Sequence, residues 1–256
     1  MSSKHTEFLE FSKILALKSG ALISEYFGNH EVEVETKDDT SPVTIADREA
    51  ELLIRKMIQN RFPDHGIIGE EFENEREDAD YVWVIDPIDG TKTFTTAVPL
   101  FGTVICLKYK GDPIVGTVHQ PILNQLLLGD GENCWLNDKP VRVRKTSQIE
   151  EAVLLTSDAL NPGRFKGDAK WNKLVQKVKL YRTWGDCYGY LLLATGWADI
   201  MVDPIVEPWD FQAMIPIIRG ANGCITNWEG EDPLNGNSVV ASNKVLHRKV
   251  IDLLND

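Results

Sequence analysis

Positive charge is scarce in this chain: 27 lysines and arginines stand against 39 aspartates and glutamates, a formal net charge of -12. That balance argues against nucleic acid or an anionic membrane as a partner, and it repels any phosphorylated ligand unless cations intervene. Cys106, Cys134, Cys187 and Cys224 are the only cysteines and include no Cys-x-x-Cys pair. A zinc knuckle and a dithiol redox motif are thereby excluded, and reduced thiols in a reducing cytosol are expected. His5, His30, His65, His119 and His247 are scattered without ligand spacing, which removes imidazole-based metal or nucleophile chemistry. No apolar run reaches about 18 residues, so no membrane span is expected. The segment from Met1 to Phe8 lacks the basic-then-apolar order of an export signal. A cytoplasmic location follows as the expectation.

What is present suits a folded enzyme-sized chain. With 256 residues, 43% hydrophobic and 26% charged, it is long enough for one or two domains burying roughly 70 to 75% of the unfolded surface. Phe8, Phe11, Leu15, Leu22 and Tyr26 predict an amphipathic helix from about Thr6 to Phe27. Glu31 to Thr36 alternates as an edge strand does, and the polar run from Lys37 to Pro42 is a candidate lid. Thr44 and Asp47 have capping-box spacing before a helix from Ile45 to Arg61, which Phe62-Pro63 ends.

Short apolar runs at Gly102 to Tyr109, Ile114 to His119, Gln125 to Leu128 and Val141 to Val143 predict a meandering antiparallel sheet. Beyond about residue 145 the rhythm changes to alternating strands and helices, including one helix from about Trp209 to Arg219. This divides the chain into an α+β part, residues 1–145, and an α/β part, residues 146–256.

Within the first part, the most informative stretch is Tyr81-Val-Trp-Val-Ile-Asp-Pro-Ile-Asp-Gly-Thr-Lys-Thr-Phe94. Val82 to Ile85 predicts a buried strand that stops at Asp86. Asp86 and Asp89 then converge across Pro87, and two buried carboxylates side by side call for a cation. Gly90 frees the backbone, and Thr91 to Phe94 opens a short helix whose N–H groups suit phosphate. Cations and phosphate together indicate phosphoryl chemistry. Asp47 and Asp210 each have two readings at this point, a first-turn helix acid or a site carboxylate. Asp186, after Trp184-Gly185, is equally open.

Gly69-Glu-Glu71, Trp83-Val-Ile-Asp-Pro-Ile-Asp-Gly-Thr91 and Trp209-Asp210 occur in an order that resembles the inositol-monophosphatase superfamily of magnesium-dependent, lithium-sensitive phosphatases. The resemblance implies a layered αβαβα sandwich of the sugar-phosphatase type, shared with fructose-1,6-bisphosphatase, and a homodimer. It implies that Glu70, Asp86 and the Ile88 carbonyl hold one Mg2+, and that Asp86, Asp89 and Asp210 hold a second. A third, weaker ion would sit beside Glu70. Asp47 is thereby raised from a cap to a functional residue, sharing a proton relay with Thr91 that orients a metal-activated water for in-line attack. Gly90 and Thr91 N–H groups would bind phosphate, and Lys37 would belong to the family's mobile loop. The spacing Asp-Pro-Ile-Asp-Gly-Thr is one residue longer than the Asp-x-Asp-Gly-Thr of haloacid-dehalogenase-type phosphatases, so no covalent aspartyl phosphate is expected.

Within that superfamily, Gly90-Thr-Lys-Thr-Phe94, Trp184-Gly-Asp-Cys-Tyr-Gly-Tyr190 and Ala198-Asp-Ile-Met-Val-Asp-Pro204 look most like the histidinol-phosphate phosphatase branch, which serves histidine biosynthesis. Asp186, Asp203 and Glu207 are the candidate partners for a cationic substrate. Trp184 either packs against an imidazole or is an ordinary core tryptophan. Inositol phosphate, another sugar phosphate or a nucleotide monoester is the alternative substrate, and a catalytically silent acidic scaffold is the alternative of another class.

Overall fold

A computed structural model describes residues 3–29, 34–36 and 42–256. In chain order the first part contains α1 (Ser3–Tyr26), β1 (Val34–Thr36), β2 (Pro42–Thr44), α2 (Ile45–Arg61), β3 (Gly66–Gly69), β4 (Tyr81–Asp89), α3 (Thr91–Thr95), β5 (Gly102–Tyr109), β6 (Asp112–Gln120), β7 (Gln125–Gly129), β8 (Cys134–Leu136) and β9 (Lys139–Pro140). The remainder contains β10 (Val153–Leu155), α4 (Asn161–Lys166), α5 (Asp168–Lys177), β11 (Leu180–Arg182), α6 (Asp186–Ala194), β12 (Ile200–Asp203), α7 (Pro208–Phe211), α8 (Met214–Gly220), β13 (Gly223–Thr226), β14 (Val239–Asn243) and α9 (Lys244–Asn255).

Strands β3 to β9 form a seven-stranded sheet in sequential order, and β11-β10-β12-β14-β13 form a five-stranded mixed sheet. Side chains alternate across a strand, and here the alternation builds the layers. Trp83, Ile85, Ile105 and Leu107 join Phe8, Leu15, Ile54 and Ile58 of α1 and α2 in one buried cluster. Val84, Val104 and Cys106 point the other way, into a cluster with α6, α8 and Leu155, Met201 and Ala241 of the second sheet. On that sheet's far face, Leu154, Ile200, Val202 and Val240 pack on Trp171 and Leu174 of α5 and on Leu246 and Val250 of α9. The result is the expected five-layer αβαβα sandwich. By the same alternation, Asp86 within β4 and Asp203 at the end of β12 lie on the faces turned to the central layer.

Several local expectations are corrected. Strand β4 does not stop at Asp86: it continues to Asp89 through a register shift, with Asp86 opposite Val104 and Asp89 opposite Gly102. Two residues, Pro87 and Ile88, thus oppose Thr103, a bulge that re-aims side chains. Thr103 Oγ1 donates to the freed Pro87 carbonyl at 2.9 Å. Residues 141–143 lie outside the ladders, and β8 and β9 complete the sheet in their place. The helix expected from Trp209 to Arg219 is two helices, α7 and α8. Pro216 has no N–H to give the Gln212 carbonyl, which favours a break at 212–213. The alternating segment predicted at Glu31 to Thr36 is described only from Val34, where it pairs antiparallel with β2. Lys37 and the loop around it lie outside the described residues.

Candidate active site

Asp86, Asp89 and Asp210 converge, each offering a carboxylate oxygen within 4.8 Å of the others. The bulge of β4 brings the first two together, and the first turn of α7 supplies the third from 121 residues further along the chain. Burial and then the charges of Glu70, Asp89, Asp210 and Asp47 raise the Asp86 carboxyl well above its ordinary range. Asp89 is raised by burial and by Asp186 and Asp210. Asp210 is pushed up to about 7, chiefly by burial.

Fixed hydrogen bonds orient the set. Asp89 Oδ2 accepts the Cys187 amide at 2.6 Å, and Asp210 Oδ2 accepts the Glu207 amide at 2.8 Å. Asp86 Oδ1 is buried and has no hydrogen-bond partner among the described residues. An all-oxygen, mutually repelling donor set with an orphaned buried oxygen fits a hard divalent cation such as Mg2+.

The helix-cap reading of Asp47 is realised, on one of its two oxygens. Oδ2 caps α2, accepting the Thr44 amide at 2.8 Å and the Thr44 hydroxyl at 2.5 Å. Oδ1 is buried and has no hydrogen-bond partner among the described residues. Burial pushes this carboxyl up to about 6, with Glu70 adding to the shift. Thr91 Oγ1 donates to the Ile88 carbonyl at 3.1 Å, so no hydrogen bond joins Thr91 to Asp47 among the described residues. Gly90 has φ +93°, and a Cβ there would lie 3.1 Å from Asp186 Oδ2 and 3.3 Å from Phe101 Cβ. Glycine is therefore required at this turn on both backbone and steric grounds.

Asp186 and Asp203 line one cavity of about 250 Å³ together with Asp89, Lys92, Ser157, Tyr190 and Asp210. Asp203 is already engaged: Oδ1 accepts the Ser157 amide at 2.9 Å and Oδ2 the Tyr190 hydroxyl at 3.0 Å. Asp186 adopts φ +49°, an uncommon conformation that aspartate tolerates better than most residues. Its amide donates to Ser157 Oγ at 2.8 Å, and burial with the Asp203 charge pushes its carboxyl to about 6. Trp184 is 43% exposed and lines an adjoining cavity of about 430 Å³ with Asp186 and Lys92, so it is not a core tryptophan. Glu207 is exposed and lines neither cavity. Its backbone amide donates to Asp210 Oδ2, and its charge adds to the upward shift of the Asp210 carboxyl.

Sequence reasoning missed Glu51 and Arg55. Both are buried, paired at 2.8 Å, and bonded to the segment that carries Glu70. Their i,i+4 spacing was the available signal.

Residues 4–256 match the model of the inositol monophosphatase family. The chain is 38% identical to the chloroplastic bifunctional phosphatase IMPL2 of Arabidopsis thaliana, over 96% of this chain and 75% of that one. It is 36% identical to a histidinol-phosphatase of Chlorobaculum parvum, covering 96% of each. Among solved structures, an IMPase of Thermotoga maritima superimposes with a TM-score of 0.88 at 30% identity over 97% of both chains. The match over nearly the full length, on a fold whose acidic cluster suits a divalent cation, means that this chain belongs to the inositol monophosphatase family of phosphatases.

Proposed function

We propose that the protein hydrolyses a phosphate monoester with Mg2+ and that its preferred substrate is histidinol phosphate. The convergence of Asp86, Asp89 and Asp210 carries the hydrolytic part of this reading. Asp86, Asp89 and Asp210 would hold one ion, and Glu70, Asp86 and the Ile88 carbonyl another. When bound, magnesium supplies Lewis-acid charge compensation to the phosphoryl group and to the entering and leaving oxygens. Gly90 and Thr91 N–H groups bind phosphate oxygens. Asp47 Oδ1, buried and without a hydrogen-bond partner among the described residues, takes the proton lost by the attacking water, with Thr91 Oγ1 as relay. Attack is in line and direct, and no phosphoenzyme forms.

Two observations support the substrate. The cavity beside the acidic cluster is lined by both Asp186 and Asp203, acids suited to an ammonium group, and Trp184 lines the adjoining cavity, where it would meet the imidazole. Relatives named histidinol-phosphatase match over nearly the full chain. The likeness to an IMPase favours inositol phosphate as the second reading. Phosphate release from histidinol phosphate, inositol 1-phosphate and an adenosine bisphosphate, each with Mg2+ and with chelator, tests both. The expected result is a kcat/KM highest for histidinol phosphate and abolished by chelator. A clear preference for inositol phosphate would overturn the substrate, and no release from any ester would favour the scaffold.

A further inference from the structure

We propose that the buried Glu51–Arg55 pair is a positioning device that aims Glu70 at the carboxylate cluster and so sets cation affinity. The proposal rests on the reading of Glu70 as a cation ligand. Glu70 is not one of the three acids whose oxygens meet within 4.8 Å, yet after burial its charge is the largest influence on Asp86. Fixing the backbone at that station limits where the carboxylate can reach.

The backbone that follows Glu70 is held from α2, and Glu70 itself is held from β4. Glu51 Oε2 accepts the Glu71 amide at 2.9 Å, while Oε1 accepts Arg55 Nε at 2.8 Å. Arg55 Nη2 donates to the Phe72 carbonyl at 3.1 Å, and Nη1 to Glu75 Oε1 at 3.1 Å. Glu75 is bridged to Ile67 by two backbone hydrogen bonds of 2.8 Å, and the Glu70 amide donates to the Ile85 carbonyl at 3.2 Å. Gly69 makes room for the clamp: a Cβ there would stand 2.1 Å from Glu51 Oε1.

Stability alone does not explain such a pair. A buried ion pair is often no better than apolar side chains of equal volume, and Ile54 and Ile58 on the same helix show that apolar packing is available. What Glu51 and Arg55 add over leucine or methionine is direction, delivered to the segment from Glu70 to Glu75. Outer partners of this kind commonly tune metal affinity.

Calorimetric titration with Mg2+ tests the proposal on Glu70→Gln, Arg55→Lys and the double variant Glu51→Gln/Arg55→Met. Lysine keeps a charge beside Glu51 but lacks the fork that reaches Phe72 and Glu75 together. Arg55→Lys is expected to bind Mg2+ roughly 10-fold to 100-fold more weakly, with the metal-free melting temperature little changed and kcat restored by excess Mg2+. A merely structural pair would move the melting temperature and leave the titration alone. The double variant removes both charges and is expected to show the same weakening, so it decides the matter should Arg55→Lys not fold. If Glu70→Gln weakens binding while both Arg55 variants bind as wild type does, the positioning role is overturned and Glu70 keeps its own. If Glu70→Gln itself binds Mg2+ normally, the ligand reading fails first and takes the inference with it.

Discussion

The backbone amide of Cys187, in the first turn of α6, donates to Asp89 Oδ2 at 2.6 Å. A strand-end acid of one sheet is thereby oriented by a helix that packs between the two. Because the contact is made by main chain, Cys187→Ala should keep it and retain Mg2+-dependent phosphate release. Cys187→Leu should not: a Cβ on Gly102 would already lie 3.1 Å from the thiol sulfur, so a larger side chain overpacks the seam at a cost of about 1–3 kcal/mol. Melting curves and initial rates of the two variants check this, and equal behaviour would contradict it.

Asp89→Asn should separate stability from function. It removes one of several repelling buried carboxylates, so the metal-free protein should melt at a higher temperature than wild type. Turnover should fall on the order of 10³-fold, or ~4 kcal/mol of transition-state stabilisation. Near-normal turnover would sink the role assigned to Asp89.

Cation and pH should act against each other. Asp47 and Asp186 are pushed up to about 6 and Asp210 to about 7, mainly by burial. A carboxyl raised on folding stabilises the fold below its unfolded value, and that contribution is lost as pH rises through the folded value. Metal-free protein should therefore lose stability between about pH 4 and pH 7, and Mg2+ should recover it at about pH 8 by taking the place of the protons. Scanning calorimetry with and without Mg2+ reads this directly. A flat metal-free profile would be inconsistent with it.

Two acids near the substrate cavity should behave differently. Asp186→Asn should lower kcat/KM for histidinol phosphate roughly 10-fold to 100-fold, the scale of a charge-assisted hydrogen bond, and change that for inositol 1-phosphate far less. Glu207→Ala keeps the amide that holds Asp210, and its own side chain is exposed, so activity should change by no more than about twofold. A larger loss in Glu207→Ala would return that side chain to the site.

Much of this was legible before any coordinates. The limits of α2 follow from a capping residue and Phe62-Pro63, and the carboxylates of Asp86 and Asp89 lie within four residues of each other. What was hidden depends on relations that one stretch of chain does not encode. The bulge at Pro87 and Ile88 is a property of two strands in register, and β4 alone gives only an apolar run. The break between α7 and α8 carries a signal in Pro216 that helical periodicity outweighed. Glu51 and Arg55 have the spacing of a solvated surface pair, and only the packing of α2 on β4 turns them inward. The Cys187 amide, being backbone, leaves no trace in residue type.

The distance along the chain between Asp89 and Asp210 also sets a schedule. At roughly 5–20 residues per second, a ribosome needs on the order of 6–25 s to add what lies between them. During that interval β4 and its neighbours have emerged, but the third carboxylate does not yet exist. Without the second sheet to cover them, Asp86 and Asp89 remain hydrated and ionised, which keeps the nascent strand end soluble. On the proposed reading, a cation held by all three carboxylates would be captured among the last events of assembly, and its arrival would report that both sheets have been made.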